Sequence, residues 1–385
     1  MKSLLCKCVL LPCFSFCALA AVPQDASPSR AIDDRTAAGD QPENPGPLAK
    51  DLSPKFKRAS ILRAMKKVAD WQLSHAEGRY NIQWTYAALY DGLLATSKVT
   101  GDALYHDRVL EVARKNHWSL GPRFGHADDE AIGLAYLTLY AESRKADELT
   151  PTRDGMDKLL ARPDDPAKNL WWWCDALYMA PPVLAELSLT TGDQRYLDFM
   201  NHEWWITSGA LYDSAEHLYY RDDPSLAMSE PNGQKVFWSR GNGWVLAGLA
   251  LVLERMPNDY PDRPRYEAQY RQIAKRIAGL QQSDGLWRAS LLDPASYPNP
   301  EISGSALITF GLGWGTKNGL LDRRKYLPIV KKSWQGMLTH IYADGRLGSI
   351  QPIGREPGKF KPSSSYVYGV GAFLLAGSEL SSIAR

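Results

Sequence analysis

The chain has 385 residues, 44% of them hydrophobic and 23% charged, which is enough apolar material for one large domain or two smaller ones and excludes disorder over most of its length. A formal net charge of +2 makes no basic stripe to gather phosphates, so no nucleic acid partner is expected. The 13 Trp and 19 Tyr against 9 Phe favour rings that stack and hydrogen-bond at once, as sugar binding or a wet protein interface requires.

The N-terminus reads "MKSLLCKCVLLPCFSFCALAAVPQ". Lys2 and Lys7 surround the start of an apolar run, and Ala18-Leu19-Ala20 supplies small residues for cleavage. Residues 1–20 are therefore expected to be a signal peptide, not a membrane span or a core helix, with cleavage near Ala20. Phe16 before Cys17 argues against a lipoprotein. The mature protein is then periplasmic or extracellular, with no membrane partner. Cys174 alone remains of the five cysteines, so no internal disulfide is possible and a large core must supply stability. Residues 21–50, rich in Pro, Ala, Gly and charge, read as a flexible leader. Residues 51–385 read as a single domain.

From Asp51 onward almost no stretch alternates with period two, and small and aromatic residues recur at helical spacing. One kind of segment returns six times, a polar or aromatic start followed by a helix rich in Ala, Gly, Leu and Tyr. The copies are "WTYAALYDGLLATSKVTGD" from Trp84, "DDEAIGLAYLTLYAES" from Asp128 and "CDALYMAPPVLAELSLTTGD" from Cys174, then "SRGNGWVLAGLALVLERMP" from Ser239, "EISGSALITFGLGWGTKNG" from Glu301 and "SSSYVYGVGAFLLAGSEL" from Ser363. Their starts lie roughly 45 to 65 residues apart, one helical hairpin with its loops. Between them run charged amphipathic helices such as "SILRAMKKVADWQL" and "RYEAQYRQIAKRIAGLQQ", which suit an outer layer. Gly101 and Gly192 stand where left-handed caps are wanted, with Asp102 and Asp193 ready to cap the next helix. The fold class expected is all-α, an (α/α)6 barrel of six hairpins; an open helical solenoid is the alternative, and the lack of polar end caps favours closure.

In a closed ring the inner helices start on one face, so polar residues at those starts are the site candidates. Asp129 heads a stripe of Ile132, Gly133, Tyr136, Leu137 and Tyr140, which aims its carboxylate with the core face. A simple N-cap is the competing reading, and a stronger one for Asp128. Asp175 follows Trp171, Trp172 and Trp173 and precedes Met179. Such neighbours exclude water, raise a carboxyl pKa and suit a proton donor, although a structural cap also fits. "FWSRGNGWV" sets Arg240 between Trp238 and Trp244 with glycines for close approach. Its planar fork matches a carboxylate; a structural ion pair is the alternative. Tyr86 and His126 stand at two further starts. No Cys or His pair has metal spacing, no glycine-rich loop follows a strand, and no GxSxG elbow occurs, so neither metal nor cofactor is expected.

The chain resembles the unsaturated rhamnogalacturonyl hydrolases of glycoside hydrolase family 105 and, more distantly, the unsaturated glucuronyl hydrolases of family 88. The likeness spans roughly residues 55–380 and is carried by "HADDEAIGLAYLTLY", "WWWCDALYMAPP", "FWSRGNGWV" and "DGLWRASLLDP…EISGSALITFGL". It implies the same (α/α)6 barrel, with Asp175 as general acid/base and Asp129 as the second aspartate of the site. It also implies that Trp173, Trp238, Arg240 and Trp244 line the substrate pocket, Arg240 near a uronate carboxylate. The implied reaction hydrates the C4–C5 double bond that polysaccharide lyases leave on a terminal uronic acid, so the partner is an unsaturated uronate-containing oligosaccharide. Where many relatives have a histidine in a "LFYHGWD"-like stretch, this chain has "LYYRDD", placing Arg221 there, with His217 as a possible substitute. Rival readings are a non-catalytic glycan-binding toroid, a helical-barrel polysaccharide lyase, and a terpene-type cyclase, which needs a fuller run of acids than "DDEA".

Overall fold

The computed structural model describes residues 38–163, 165 and 168–384. The expected signal peptide, residues 1–20, and residues 21–37 of the expected leader lie outside the described residues. The elements follow in chain order: α1 (Arg58–His75), α2 (Trp84–Thr100), α3 (Ala103–Lys115), α4 (Ala127–Glu130), α5 (Ile132–Ser143) and α6 (Ala146–Leu160). Next come α7 (Ala176–Met179), α8 (Pro181–Thr191), α9 (Arg195–Leu211), the two-residue strands β1 (Tyr212–Asp213) and β2 (Leu218–Tyr219), and α10 (Asp223–Leu226). The last are α11 (Ser239–Arg255), α12 (Arg263–Ala278), α13 (Ile302–Lys317), α14 (Arg323–Leu338) and α15 (Val367–Ile383).

Burial sorts these into two layers for the reason the sequence suggests. Every residue of α11 from Ser239 to Leu253 is buried, and every residue of α13 from Ile302 to Thr316, because a helix without a polar face is stable only when surrounded. Helices α1, α3, α6, α9, α12 and α14 bury one stripe each and stay polar outside. Around the ring α2 packs on α5, α5 on α8, α8 on α11, α11 on α13, α13 on α15, and α15 on α2. That last contact closes the (α/α)6 barrel and removes the solenoid. It is made backbone to backbone: a Cβ on Gly371 would lie 2.0 Å from the Ala88 carbonyl oxygen, and one on Gly92 would lie 2.5 Å from that of Gly371, so α2 and α15 meet only because both are glycine there.

The expected caps form. Gly101 and Gly192 both take φ 75, and the side chains of Asp102 and Asp193 accept from the backbone N–H of Leu104 and Arg195 at 3.2 and 3.0 Å. Two inner helices are broken in their first turn. Pro181 and Pro182 remove two N–H donors, which separates the short α7 from α8 and sets Asp175 at the head of a free-standing turn. A correction concerns the leader. Residues 38–50 were expected to be flexible, yet Asp40 exchanges backbone hydrogen bonds with Ser365 at 3.0 and 3.2 Å and ion-pairs with Arg346, and the Ala49 N–H donates to Ile341 O at 2.8 Å. Pairing partners some 300 residues away cannot be read from local composition. Among the described residues no helix is long and apolar enough to cross a membrane.

Candidate active site

The inner helices all start at one end of the barrel, and the loops before them carry the residues that gather there. Asp175 is central. It precedes α7 in helical conformation, φ −65 and ψ −26, and its side chain accepts no cap hydrogen bond, which removes the structural-cap reading. The residue is 9% exposed. Burial pushes its pKa up, and the pull of Arg221, whose Nε lies 3.8 Å from Oδ2, does not cancel that cost. The Cys174 thiol donates to Oδ1 at 3.3 Å. Gly241 lets α11 close on this carboxyl: a Cβ there would meet Cys174 Sγ at 3.0 Å, Trp238 at 3.3 Å and Asp175 Oδ1 at 3.4 Å.

The tryptophan run works differently from the expectation of three drying rings. Trp171 is fully buried and its carbonyl accepts from Thr207. Trp172 stands 45% exposed at the rim, and Trp173 turns inward at 3%. An extended segment forces this alternation, since Trp173 forms an isolated bridge with Asp222. His126 packs on Trp173, ring centroids 4.9 Å apart, and burial together with Arg123 drives its pKa down to about 4, so it is neutral near pH 7.

Asp128, not Asp129, is the acid that faces Asp175. Helix α4 packs on α7, and burial holds the Asp128 carboxyl at about 7, with the negative charge of Asp175 pushing in the same direction and Arg123 and Arg221 opposing. The Asp129 carboxylate turns the other way, onto Gly121. Arg123 grips it with Nε at 2.8 Å and Nη2 at 2.9 Å, and the Arg123 N–H donates at 2.7 Å. Successive residues in a helical turn point about 100° apart, so only one of the pair can reach the site.

Four further expectations are corrected. Arg240 is 1% exposed, and its fork is occupied by two backbone carbonyls, Gln351 O at 2.6 Å and Pro352 O at 2.8 Å, while Trp238 and Tyr368 cover it at 4.3 and 4.9 Å. It ties α11 to the loop before α15 through both Nη groups, and its buried Nε alone lacks a partner. Trp244 is buried at 1%, packed on Tyr178 at 4.5 Å and Trp84 at 6.4 Å, beneath the site. Tyr86 is fully buried between Tyr80 and Tyr90, with no surface open to a substrate. His217, in the β1–β2 turn with φ 54, bonds Tyr212 Oη at 3.0 Å, and Tyr212 in turn reaches Gln272 on α12, so it does not substitute for the missing histidine. Arg221 is close to Asp175, also pairs with Asp222 at 2.5 Å, and lies over the Trp172 ring at 5.4 Å. Trp238, expected to line the pocket, is buried at 2%, with its ring on Arg240 and its indole N–H donating to Gln351 at 3.0 Å. Sequence reading missed Arg123 and Asp222; an arginine six residues before an aspartate across a loop has no periodic signature. Among the described residues no cluster of three acids, histidines or cysteines could hold a metal.

A buried, uncapped acid beside a second acid, an arginine and a tryptophan rim is the arrangement of a carboxyl-based glycosidase, and the family comparison agrees. The family model described as Glycosyl Hydrolase Family 88 matches residues 58–384. The chain belongs to that family. Family 88 was the more distant of the two resemblances read from the motifs, and solved proteins of family 105 share the fold. An unsaturated 3S-rhamnoglycuronyl hydrolase of Formosa agariphila is 42% identical over 84% of this chain and 90% of its own length. One of the same name from an Alteromonas species is 33% identical over 86% and 89%. A solved family 88 glycosyl hydrolase from Bacteroides vulgatus superposes with a TM-score of 0.81 at 31% identity, covering 85% of this chain and 99% of that one. This family 88 protein is therefore a glycosidase.

Proposed function

We propose that the protein removes a terminal Δ4,5-unsaturated uronic acid from lyase-generated oligosaccharides by hydrating the C4–C5 double bond, and that the next sugar is a rhamnose. The observation that carries the reaction is Asp175, a buried carboxyl raised in pKa, free of backbone caps and opposed by a second raised acid, Asp128. The rhamnose follows from the two rhamnoglycuronyl hydrolases, which match over most of both chains.

Protonating an alkene carbon demands a neutral, well-aimed acid. Asp175 delivers its proton to C4, which leaves the positive charge shared between C5 and the ring oxygen. The carboxylate so formed is stabilised by Arg221. It then accepts a proton from the water that attacks C5, which restores the acid. The resulting C5 hemiketal opens and releases the neighbouring sugar without displacement at the anomeric carbon. Asp128 orients that water or the sugar hydroxyls, the part the sequence had assigned to Asp129. The uronate carboxylate is attached to C5, next to the reacting carbon. Arg221 holds it there, because the Arg240 fork is already taken. An exported location is supported by the basic-then-apolar start of the chain.

The test offers matched saturated and unsaturated uronyl-rhamnose disaccharides and follows alkene absorbance and sugar release by NMR in heavy water. Only the unsaturated compound should react, with deuterium at C4 of the product. Comparable cleavage of the saturated compound, or release without label, establishes a conventional glycosidase; alkene formation on saturated polymer establishes a lyase.

A further inference from the structure

We propose that the barrel mouth opposite the candidate active site is a second binding site, one that takes a small organic cation through a primary ammonium group. The site is a cavity of about 840 Å³ to which all six inner helices contribute residues. None of Asp128, Asp175, Trp173, Arg221 and Arg240 lines it. The inner helices are 11 to 17 residues long, so at about 1.5 Å per residue one end lies roughly 15–25 Å from the other. An aromatic floor separates the two: Tyr178, which lines the cavity, packs on Trp244 at 4.5 Å, and Trp244 on Trp84 at 6.4 Å.

Charge selects the ligand. Six helix C-termini give the mouth a negative potential. The bases on its wall are largely matched by acids there: Arg255 pairs with Glu186 at 2.6 Å and Glu254 at 3.5 Å, Lys317 with Glu379 at 3.1 Å, and His106 with Glu142 at 3.3 Å. Asp91 is left over. It is the carboxyl that α2 brings to the cavity, midway along the helix, and Tyr178 Oη donates to its Oδ2 at 3.2 Å. Burial pushes the Asp91 pKa to about 7, with Arg255 and Tyr178 opposing. Leu94, Leu134, Leu251, Phe310 and Leu375 supply apolar wall above it. An ammonium group on a short carbon body therefore meets the Asp91 carboxylate and hydrocarbon, whereas an anion meets a wall on which acids outnumber Lys98, Arg255 and Lys317.

This site is independent of the reaction proposed above, and so is its test. Calorimetric titration of the full chain at pH 8 uses n-butylamine and 1,4-diaminobutane as probes, with n-butanol and butyrate as controls. The amines should bind, the controls should not, and the Asp91→Asn variant should lose affinity by at least about tenfold. By linkage, a bound amine must lower the pKa of Asp91, read from its carboxyl carbon by NMR; this measurement needs no variant and stands if Asp91→Asn fails to fold. No amine binding, equal binding by Asp91→Asn, an unmoved Asp91 titration, or displacement of the amine by an unsaturated disaccharide would overturn the proposal.

Discussion

Asp128 and Asp129 are adjacent in sequence and opposite in role, and replacing each with asparagine separates the two. Asp129→Asn keeps its volume against Gly121 and one acceptor oxygen, and loses the charge that faces Arg123. The Arg123 side chain is 54% exposed, so water screens the pair, and the loss should be about 1 kcal/mol of stability with kcat within about fivefold of wild type. Asp128→Asn removes a half-buried acid whose pKa is raised by the charge of Asp175. Loss of such a group should lower kcat by about 10² to 10³, or roughly 2.7–4 kcal/mol of transition-state stabilisation. The sign of the pH effect follows from repulsion. The negative charge of Asp175 raises the pKa of Asp128, so Asp128→Asn removes the group held at about 7, and any limb of kcat/KM that follows Asp128 should disappear. The assay is the loss of alkene absorbance from about pH 5 to 9, with Tm recorded for each variant. An inactive Asp129→Asn of unchanged Tm, together with a fully active Asp128→Asn, would refute the assignment.

Asp175→Asn keeps the shape of the site and cannot give a proton, so turnover should fall by about 10² to 10⁴ while isothermal titration still detects oligosaccharide; a variant with more than about a tenth of wild-type activity removes Asp175 from the mechanism. Arg240→Lys should act on stability, not on KM, because it withdraws two hydrogen bonds from buried carbonyls: chemical denaturation should show a loss of about 3 kcal/mol, and a raised KM at unchanged stability would place the arginine on substrate instead. Glu130 is buried and held at about 8, so its folded state favours the neutral acid; the protein is penalised progressively as pH rises from the unfolded value near 4.5 through about 8. Glu130→Gln should therefore be more stable than wild type at pH 8.5 and not at pH 4, and equal Tm differences at both would show that Glu130 is not the group responsible.

The six inner helices were legible because composition alone makes them insoluble as surface helices. Residues such as Val245 to Leu253 and Ala306 to Leu312 have no polar stripe, so the chain has to wrap them in the amphipathic segments between. The caps were legible for a similar local reason, since Gly101 and Gly192 need no partner beyond their own turn. Asp175 stood out because an acid among tryptophans is costly wherever it lies, and the structure leaves that cost uncompensated by a cap.

What the sequence left open were directions and distant partners. Asp128 or Asp129, and Trp172 or Trp173, are choices between neighbours that differ by one step of a helical turn or of an extended strand; the packing of α4 on α7 and the bridge from Trp173 to Asp222 make them. Arg240 reads as a substrate clamp because its side chain fits one, yet its fork is filled by carbonyls 111 and 112 residues away. Backbone carbonyls belong to every residue, so no pattern of side chains announces where a buried arginine will find two of them. Only closure of the ring, with α15 laid against α2 and the loop before it folded over α11, brings those oxygens to the guanidinium and leaves Arg221 as the cation beside Asp175.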